Sequence, residues 1–129
     1  MPQPAARQND PVTGTDIHIL MVPSPGGPVP TPTPLPYAGQ LALSLSTDVL
    51  INSRPAATQG SKSQQTPHIP PFPFQRPPTN QGTVLMGSTT VFIDGKPAAR
   101  MGDSVMNCND PVPAPTGTIA GGSTTVLIG

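Results

Sequence analysis

Ser88-Thr-Thr-Val-Phe-Ile-Asp-Gly95 occurs, with small changes, three times in this chain of 129 residues. Related stretches are Ser46-Thr-Asp-Val-Leu-Ile-Asn-Ser53 and Ser123-Thr-Thr-Val-Leu-Ile-Gly129. Each is rich in β-branched residues, which favour strands. Three similar units in one chain predict a small all-β domain with pseudo-threefold symmetry.

Each repeat is interpreted as a β-hairpin. In the middle repeat, Gly82-Thr-Val-Leu-Met86 is predicted as the first strand, Gly87-Ser88 as a turn, and residues 89–93 as the return strand. Phe92, within the return strand, is expected to lie in the core. A second turn at Asp94-Gly95 carries a strong hairpin signal and leads into Lys96-Pro-Ala-Ala-Arg100.

Proline-rich segments separate the repeats. The chain contains 21 Pro and 13 Gly, and proline alternates with other residues from Pro28 to Pro36. Similar segments span residues 67–78 and 111–115. Because proline fixes φ and interrupts helices, these segments are predicted to be extended linkers or edge strands, and no significant helix is expected. A flexible linker is the alternative interpretation.

The predicted core is thin, since aromatic residues make up only 3% of the chain. Small domains with little buried apolar surface usually need a disulfide, a metal or a partner. Cys108 is the only cysteine, so an intramolecular disulfide is excluded. A metal or a partner is therefore expected.

Several function classes lack support in the sequence. The formal net charge is zero and no basic patch is visible, which argues against nucleic-acid binding. Enzymatic motifs such as a phosphate-binding loop or His-Glu-x-x-His are missing, so a non-enzymatic protein is expected. The first residues have no apolar signal region, and synthesis in the cytoplasm without a signal peptide is predicted.

The run Lys96-Pro97-Ala98-Ala99-Arg100-Met-Gly-Asp103, with the strand and turn before it, resembles the signature of the PAAR family. Arg54-Pro-Ala-Ala-Thr58 is a degenerate second copy. Pro4-Ala-Ala-Arg7 has the same letters without a preceding strand and turn, and it is interpreted as a coincidence. The resemblance extends from about residue 10 to Gly129, within one domain that spans residues 1–129.

Membership of this family implies a sharp cone of three small β-sheets whose broad base docks on a homotrimeric β-helical spike, one tip per trimer. It implies a structural role in a contractile injection system, such as a type VI secretion system or a phage-tail-like particle. The tip would sharpen the spike for envelope puncture, contact the target-cell membrane transiently, carry effector cargo, and leave the cell on the particle. A free-standing secreted metal-binding adaptor that recruits an effector is the alternative.

The candidate metal ligands are His18, His68 and Cys108. His68 follows Gly60 by eight residues and Cys108 follows Gly102 by six, so the two lie at similar places in successive repeats. Imidazole and thiolate suit a structural Zn²⁺. The family site usually has three His and one Cys, whereas this chain has two His. The fourth ligand stays open among Asp16, Asp110, Asn107 and water, or protein atoms supply only three ligands, and the metal is zinc or iron.

Overall fold

The computed structural model describes residues 2–109 and 112–129. Over these residues the chain forms strands and turns without a helix, which confirms the predicted all-β class. With no helix described, none is long and apolar enough to cross a membrane. In chain order the strands are β1 (Gln3–Pro4), β2 (Pro11–Val22), β3 (Val29–Leu43), β4 (Leu50–Ile51), β5 (Arg54–Pro55), β6 (Lys62–Gln65), β7 (Gln81–Val84), β8 (Phe92–Ile93), β9 (Lys96–Pro97), β10 (Ser104–Asn107), β11 (Ala114–Ile119) and β12 (Leu127–Ile128).

Six of these strands close into a barrel in the order β10-β11-β2-β3-β6-β7. All neighbours are antiparallel, and β7 closes the barrel by pairing with β10. The longest pair, β2 and β3, runs from Pro11↔Gln40 to Val22↔Val29. Buried side chains fill the barrel, including Val12, Tyr37, Leu41, Val84, Val105 and Ile119.

Three two-stranded sheets lie outside the barrel, as the repeat predicts: β4–β5, β8–β9 and β12–β1. The third sheet joins the two ends of the chain, with Gln3 opposite Ile128 and Pro4 opposite Leu127. The last Ser-Thr-Thr-Val-Leu-Ile strand is therefore completed by the first residues of the chain. Ile51, Ile93 and Ile128 occupy equivalent buried positions in these sheets.

The Pro-Ala-Ala segments of the three units meet in a closed ring. The amide of Ala6 donates to the carbonyl of Ala99, Ala99 donates to Ala57, and Ala57 donates to Ala6, each at 3.0 Å. All three alanines are fully buried. The interpretation of Pro4-Ala-Ala-Arg7 as a coincidence was therefore wrong, because the strand that should precede it comes from the other end of the chain.

The ring is braced by arginines. Arg7 binds Asp10 and reaches Asn52 in the next unit, at 3.0 Å for both contacts. Arg100 likewise binds Asp103 at 2.9 Å and the carbonyl oxygen of Gly129 at 3.1 Å. The hydrogen bond with Asp103 raises the pKa of Arg100 further. In the degenerate unit, Thr58 and Ser61 replace the arginine and the aspartate. The backbone amide of Thr58 donates to Ser61 Oγ at 3.0 Å.

Serines at the start of each repeat link neighbouring units. Ser46, Ser88 and Ser123 are buried, and each Oγ accepts hydrogen bonds from the amides two and three residues later. The same hydroxyls donate across the pseudo-threefold axis to Asp94, Gly129 and Asn52 respectively. The repeated serine is thus a structural residue of the turn.

Two details of the predicted hairpins were wrong. Strand β7 does not return on β8 through Gly87-Ser88; it pairs with β6 and β10 in the barrel, and only the Asp94-Gly95 turn makes a hairpin, β8–β9. Phe92 is 59% exposed and not in the core. In a two-residue strand adjacent side chains point to opposite faces, and Ile93 takes the inner one.

Most of the first proline-rich segment, residues 28–36, lies in β3, which confirms the prediction that it is extended. Pro30, Pro32, Pro34 and Pro36 are exposed, while Thr31, Thr33 and Leu35 between them are half-buried. Strand β6 pairs with β3 only from Gly39 onward, so the prolines lie on an edge where no amide donor is needed. The second proline-rich segment, residues 67–78, is irregular apart from a β-bridge between Leu20 and Phe74. Pro111, in the third segment, lies outside the described residues.

Candidate metal centre

Each predicted ligand lies beyond a Pro-Ala-Ala segment, along the barrel strand that follows it. His18 is within β2, His68 comes three residues after β6, and Cys108 comes directly after β10. All three strands start near the alanine ring, so their far ends meet at the opposite end of the barrel. The small sheets therefore lie at one end of the barrel and the candidate ligands at the other.

The structure brings the three predicted ligands together around Asp16. The Oδ2 atom of Asp16 is 3.6 Å from His18 Nε2, 3.5 Å from His68 Nε2 and 3.4 Å from Cys108 Sγ. Cys108 Sγ is also 4.0 Å from His18 Nε2. Asp16, His18 and His68 each offer a ligand atom, and these three atoms lie within 4.8 Å of one another; the Cys108 thiol contacts two of the three residues, Asp16 and His18.

The cluster is largely shielded from solvent. The side chains of His18 and Asp16 are fully buried, and that of His68 is 10% exposed. Phe74 of the second proline segment packs edge-on against the His18 ring, with centroids 5.4 Å apart. Cys108 is half-buried and borders a cleft of about 400 Å³ that also reaches Arg76 and Lys62. The cleft exposes the Cys108 side of the cluster to solvent.

Among the open choices for a fourth ligand, the geometry favours Asp16. Its second oxygen, Oδ1, is buried and has no hydrogen-bond partner among the residues that the structure describes. The Asn107 side chain lies inside the barrel close to Gly82 and Gly117, and it makes no hydrogen bond to the cluster. Asp110 lies outside the described residues.

The electrostatics of the cluster suit a cation. Burial raises the pKa of the Cys108 thiol, and the negative charge of Asp16 raises it further. Without a cation the thiol therefore stays protonated and donates to Asp16 Oδ2. A bound cation would stabilise the thiolate and the carboxylate together. Two imidazoles, one thiolate and one carboxylate form a donor set that zinc accepts in tetrahedral sites, so the residues present fit a structural zinc.

Sequence reasoning did not identify Gln65. Its Nε2 atom lies 3.0 Å from Asp16 Oδ2 and 3.1 Å from His68 Nε2. The residue is the last of β6, three positions before His68. Its spacing from His68 was visible in the sequence, but an uncharged amide beside a proline segment carries no metal signal. Asn109 was also missed; its Oδ1 accepts the amide of Ile17 at 3.1 Å, which fixes β2 beside the cluster.

The spacing of His18 becomes clear once the first Pro-Ala-Ala segment is included. Asn9 has a left-handed φ of 70°, as do Gly60 and Gly102 at 91° and 94°. These three residues occupy equivalent turns before β2, β6 and β10. His18 follows Asn9 by nine residues, against eight for His68 after Gly60 and six for Cys108 after Gly102, so each unit supplies one ligand from a similar but not identical place.

The comparison with known families identifies the signature region. The model of the PAAR motif family matches residues 75–129. This chain carries a PAAR motif. The resemblance seen in the sequence is confirmed over that range, which includes the signature Pro97–Arg100 and Cys108. A comparison of the chain with curated proteins finds no match.

The PAAR motif of this chain is a structural element of the ring and not part of the metal cluster. Ala98 and Ala99 are fully buried, and Pro97 lies in β9. A larger side chain at either alanine would meet the neighbouring units. Arg100 is placed outward, where it braces the adjacent repeat. The motif therefore explains how three units close into a ring, while the ligands lie within or just beyond the strands that follow.

Proposed function

We propose that this protein is the non-enzymatic tip of a contractile injection apparatus and caps its homotrimeric β-helical spike. The PAAR family is one of structural spike-tip proteins, and the match over residues 75–129 supports this role. The observation that carries the proposal is the pseudo-threefold end formed by the three small sheets. A single chain with three equivalent faces can satisfy three identical partner surfaces at once.

The end with the small sheets has the chemistry of a docking surface. Leu50, Phe92 and Leu127 occupy equivalent strand positions and are 61%, 59% and 59% exposed. Each lies directly before the buried isoleucine of its sheet. Isolated exposed hydrophobic residues are common, but three related by the internal symmetry form a repeated apolar contact. The proposed occupant is the end of the spike trimer, one chain for each position.

The opposite end is the proposed point of the tip. Asp16, His18, His68 and Cys108 would hold a structural Zn²⁺, which would cross-link β2 to the segments that follow β6 and β10. A metal bound only in the folded state contributes its binding free energy to stability. The few buried large side chains make such a contribution valuable here. Rigidity at this end is what penetration of a target envelope requires, with transient contact to the membrane.

The proposed role also implies where the protein is made, assembled and delivered. It would be made in the cytoplasm, assembled on the spike, and delivered with the particle to the outside or into a target cell. Effector cargo is proposed to travel with the tip. In this role the protein has no substrate and changes no covalent bond; it works by shape, stiffness and attachment.

Substitutions on the two ends test the proposal. The measurement is binding to the purified β-helical spike trimer of the same apparatus. Phe92→Asp and Leu127→Asp are expected to weaken binding at least tenfold, since each places a charge in an apolar contact. Ile69→Asp is the matched control, because Ile69 is 97% exposed and directly follows His68 at the other end. Equal loss in all three variants, or no loss in the first two, would contradict the proposed docking face.

A further inference from the structure

Gln65 makes a connection that the proposed metal centre does not need. Its Nε2 contacts Asp16 Oδ2 at 3.0 Å and His68 Nε2 at 3.1 Å, and its Oε1 accepts the amide of Ala38 at 3.4 Å. The side chain therefore reaches from the backbone of β3 into the ligand cluster. It is half-buried at the end of β6.

The contacts define which way the amide faces. An Oε1 atom turned toward Asp16 would put two acceptors 3.0 Å apart, whereas the amino group supplies a donor to each ligand. His68 Nε2 then accepts a hydrogen bond, so the proton of the neutral ring is on Nδ1. The two N–H groups of Gln65 bring partial positive charge to a fully buried carboxylate.

A metal ion would need the lone pair of His68 Nε2, which already accepts a hydrogen bond from Gln65. An imidazole nitrogen has one lone pair in the ring plane, and it cannot accept a hydrogen bond and bind a cation together. His68 Nε2 and His18 Nε2 are the ring atoms that face Asp16. Metal binding through His68 Nε2 therefore breaks the contact from Gln65.

We propose that Gln65 is a placeholder in the metal-free protein and is released when the metal binds. This inference rests on the proposed metal centre. The amide holds Asp16 and His68 in place and partly offsets the buried charge, so the chain can fold before it acquires a metal. The same contacts compete with the cation, and they lower the metal affinity of the folded chain. Gln65 is thus a positioning residue that tunes the site without ligating.

Gln65→Leu tests the competition, with Gln64→Leu as the matched control because Gln64 is its exposed neighbour in β6. Zinc affinity is measured by competition with a chromophoric chelator, and melting temperature is measured with and without zinc. Gln65→Leu is expected to bind zinc about tenfold more tightly than the wild type, as expected for losing a hydrogen bond to a charged group in the free state only. Its melting temperature without zinc should fall, while that with zinc should change much less. The control should match the wild type in both.

Unchanged or weaker zinc binding by Gln65→Leu overturns the placeholder role while leaving the metal centre intact. A wild type and a variant that both fail to bind zinc overturn the metal centre and this inference with it. A second measurement does not depend on how the variant folds. Long-range ¹H–¹⁵N spectra of the metal-free wild type should show His68 protonated on Nδ1, and protonation on Nε2 instead would contradict the proposal.

Discussion

The amide of Ala6 donates a 3.0 Å hydrogen bond to the carbonyl of Ala99, which joins the beginning of the chain to the PAAR signature. Ala57 completes the ring with two further bonds of the same length. The ring makes three repeats into one closed unit. It also means that the third repeat is assembled from both ends of the chain.

Ala6→Val should destabilise the protein as strongly as Ala99→Val does. Both alanines are fully buried in the ring, so added methyl groups overpack it, at a cost of about 1–3 kcal/mol each. Denaturant unfolding measures the free energy of unfolding of both variants. Ala120→Val is the control, since Ala120 is exposed. An Ala6→Val variant as stable as the control would show that the first Pro-Ala-Ala segment does not belong to the ring.

An Arg–Asp pair can be introduced into the degenerate unit, which lacks one. In the double variant Thr58→Arg and Ser61→Asp, the new arginine would bind the new carboxylate and reach Asp94 in the next unit, as Arg7 reaches Asn52. An increase of about 0.5–1 kcal/mol in the free energy of unfolding is expected from these contacts, although Thr58 and Ser61 are themselves buried. Thr58→Lys with Ser61→Asp is the control, because lysine lacks the planar fork. Equal stability of the two double variants would argue against the brace.

Substitution of any one proposed ligand is expected to release the zinc. Wild-type protein purified without an affinity tag should contain about one zinc per chain by inductively coupled plasma mass spectrometry, the stoichiometry of a single structural site. Cys108→Ser, His18→Ala and Asp16→Asn should each lose most of it and melt at lower temperature, because each removes one ligand. Asp48→Ala, an exposed carboxylate outside the cluster, should keep its zinc. Retention of zinc in the Asp16 variant alone would remove Asp16 from the ligand set.

The raised pKa of Tyr37 limits the stability of the fold at alkaline pH. Burial raises its pKa to about 12, although the hydrogen bond with Ser63, 2.6 Å long, acts in the opposite direction. The unfolded chain ionises its tyrosine near pH 10, so stability is full below pH 10 and falls by about 2 kcal/mol as the pH approaches 12. Tyr37 is the only tyrosine and tryptophan is absent, so absorbance at 295 nm follows it directly.

Tyr37→Phe is the control for the alkaline experiment. It lacks the ionisable group, so its stability should depend less on pH between 10 and 12 than that of the wild type, while other titrating groups contribute equally to both. A tyrosine that titrates near pH 10 in a protein that is still folded would contradict the burial of its hydroxyl.

Much of the fold could be predicted from the sequence because it depends on local patterns that repeat. The β-branched strands, the Asp94-Gly95 turn and the alternating prolines each act over a few residues. Apart from the exposed position of Phe92, the wrong predictions concern contacts between distant segments. Pro4–Arg7 could be recognised only by connecting it to Leu127–Ile128, and the pairing of β7 with β10 follows from barrel closure, which no local pattern encodes.

The candidate site was predictable in part for the same reason. His68 and Cys108 share a spacing from their turns, so symmetry could place them together. Asp16 was one of several choices, because a carboxylate near a histidine is common and only the strand register brings it to the centre. Gln65 gave no signal, since its role depends on its distance from two ligands and not on its residue type.

The stoichiometry of the complex with the β-helical spike trimer tests the proposed capping role. Size-exclusion chromatography with light scattering, or native mass spectrometry, would give the mass of the complex. One copy of this chain is expected for three spike chains, because its three small sheets match three equivalent surfaces. Three copies per trimer, or no complex under conditions where the chain is folded, would contradict it.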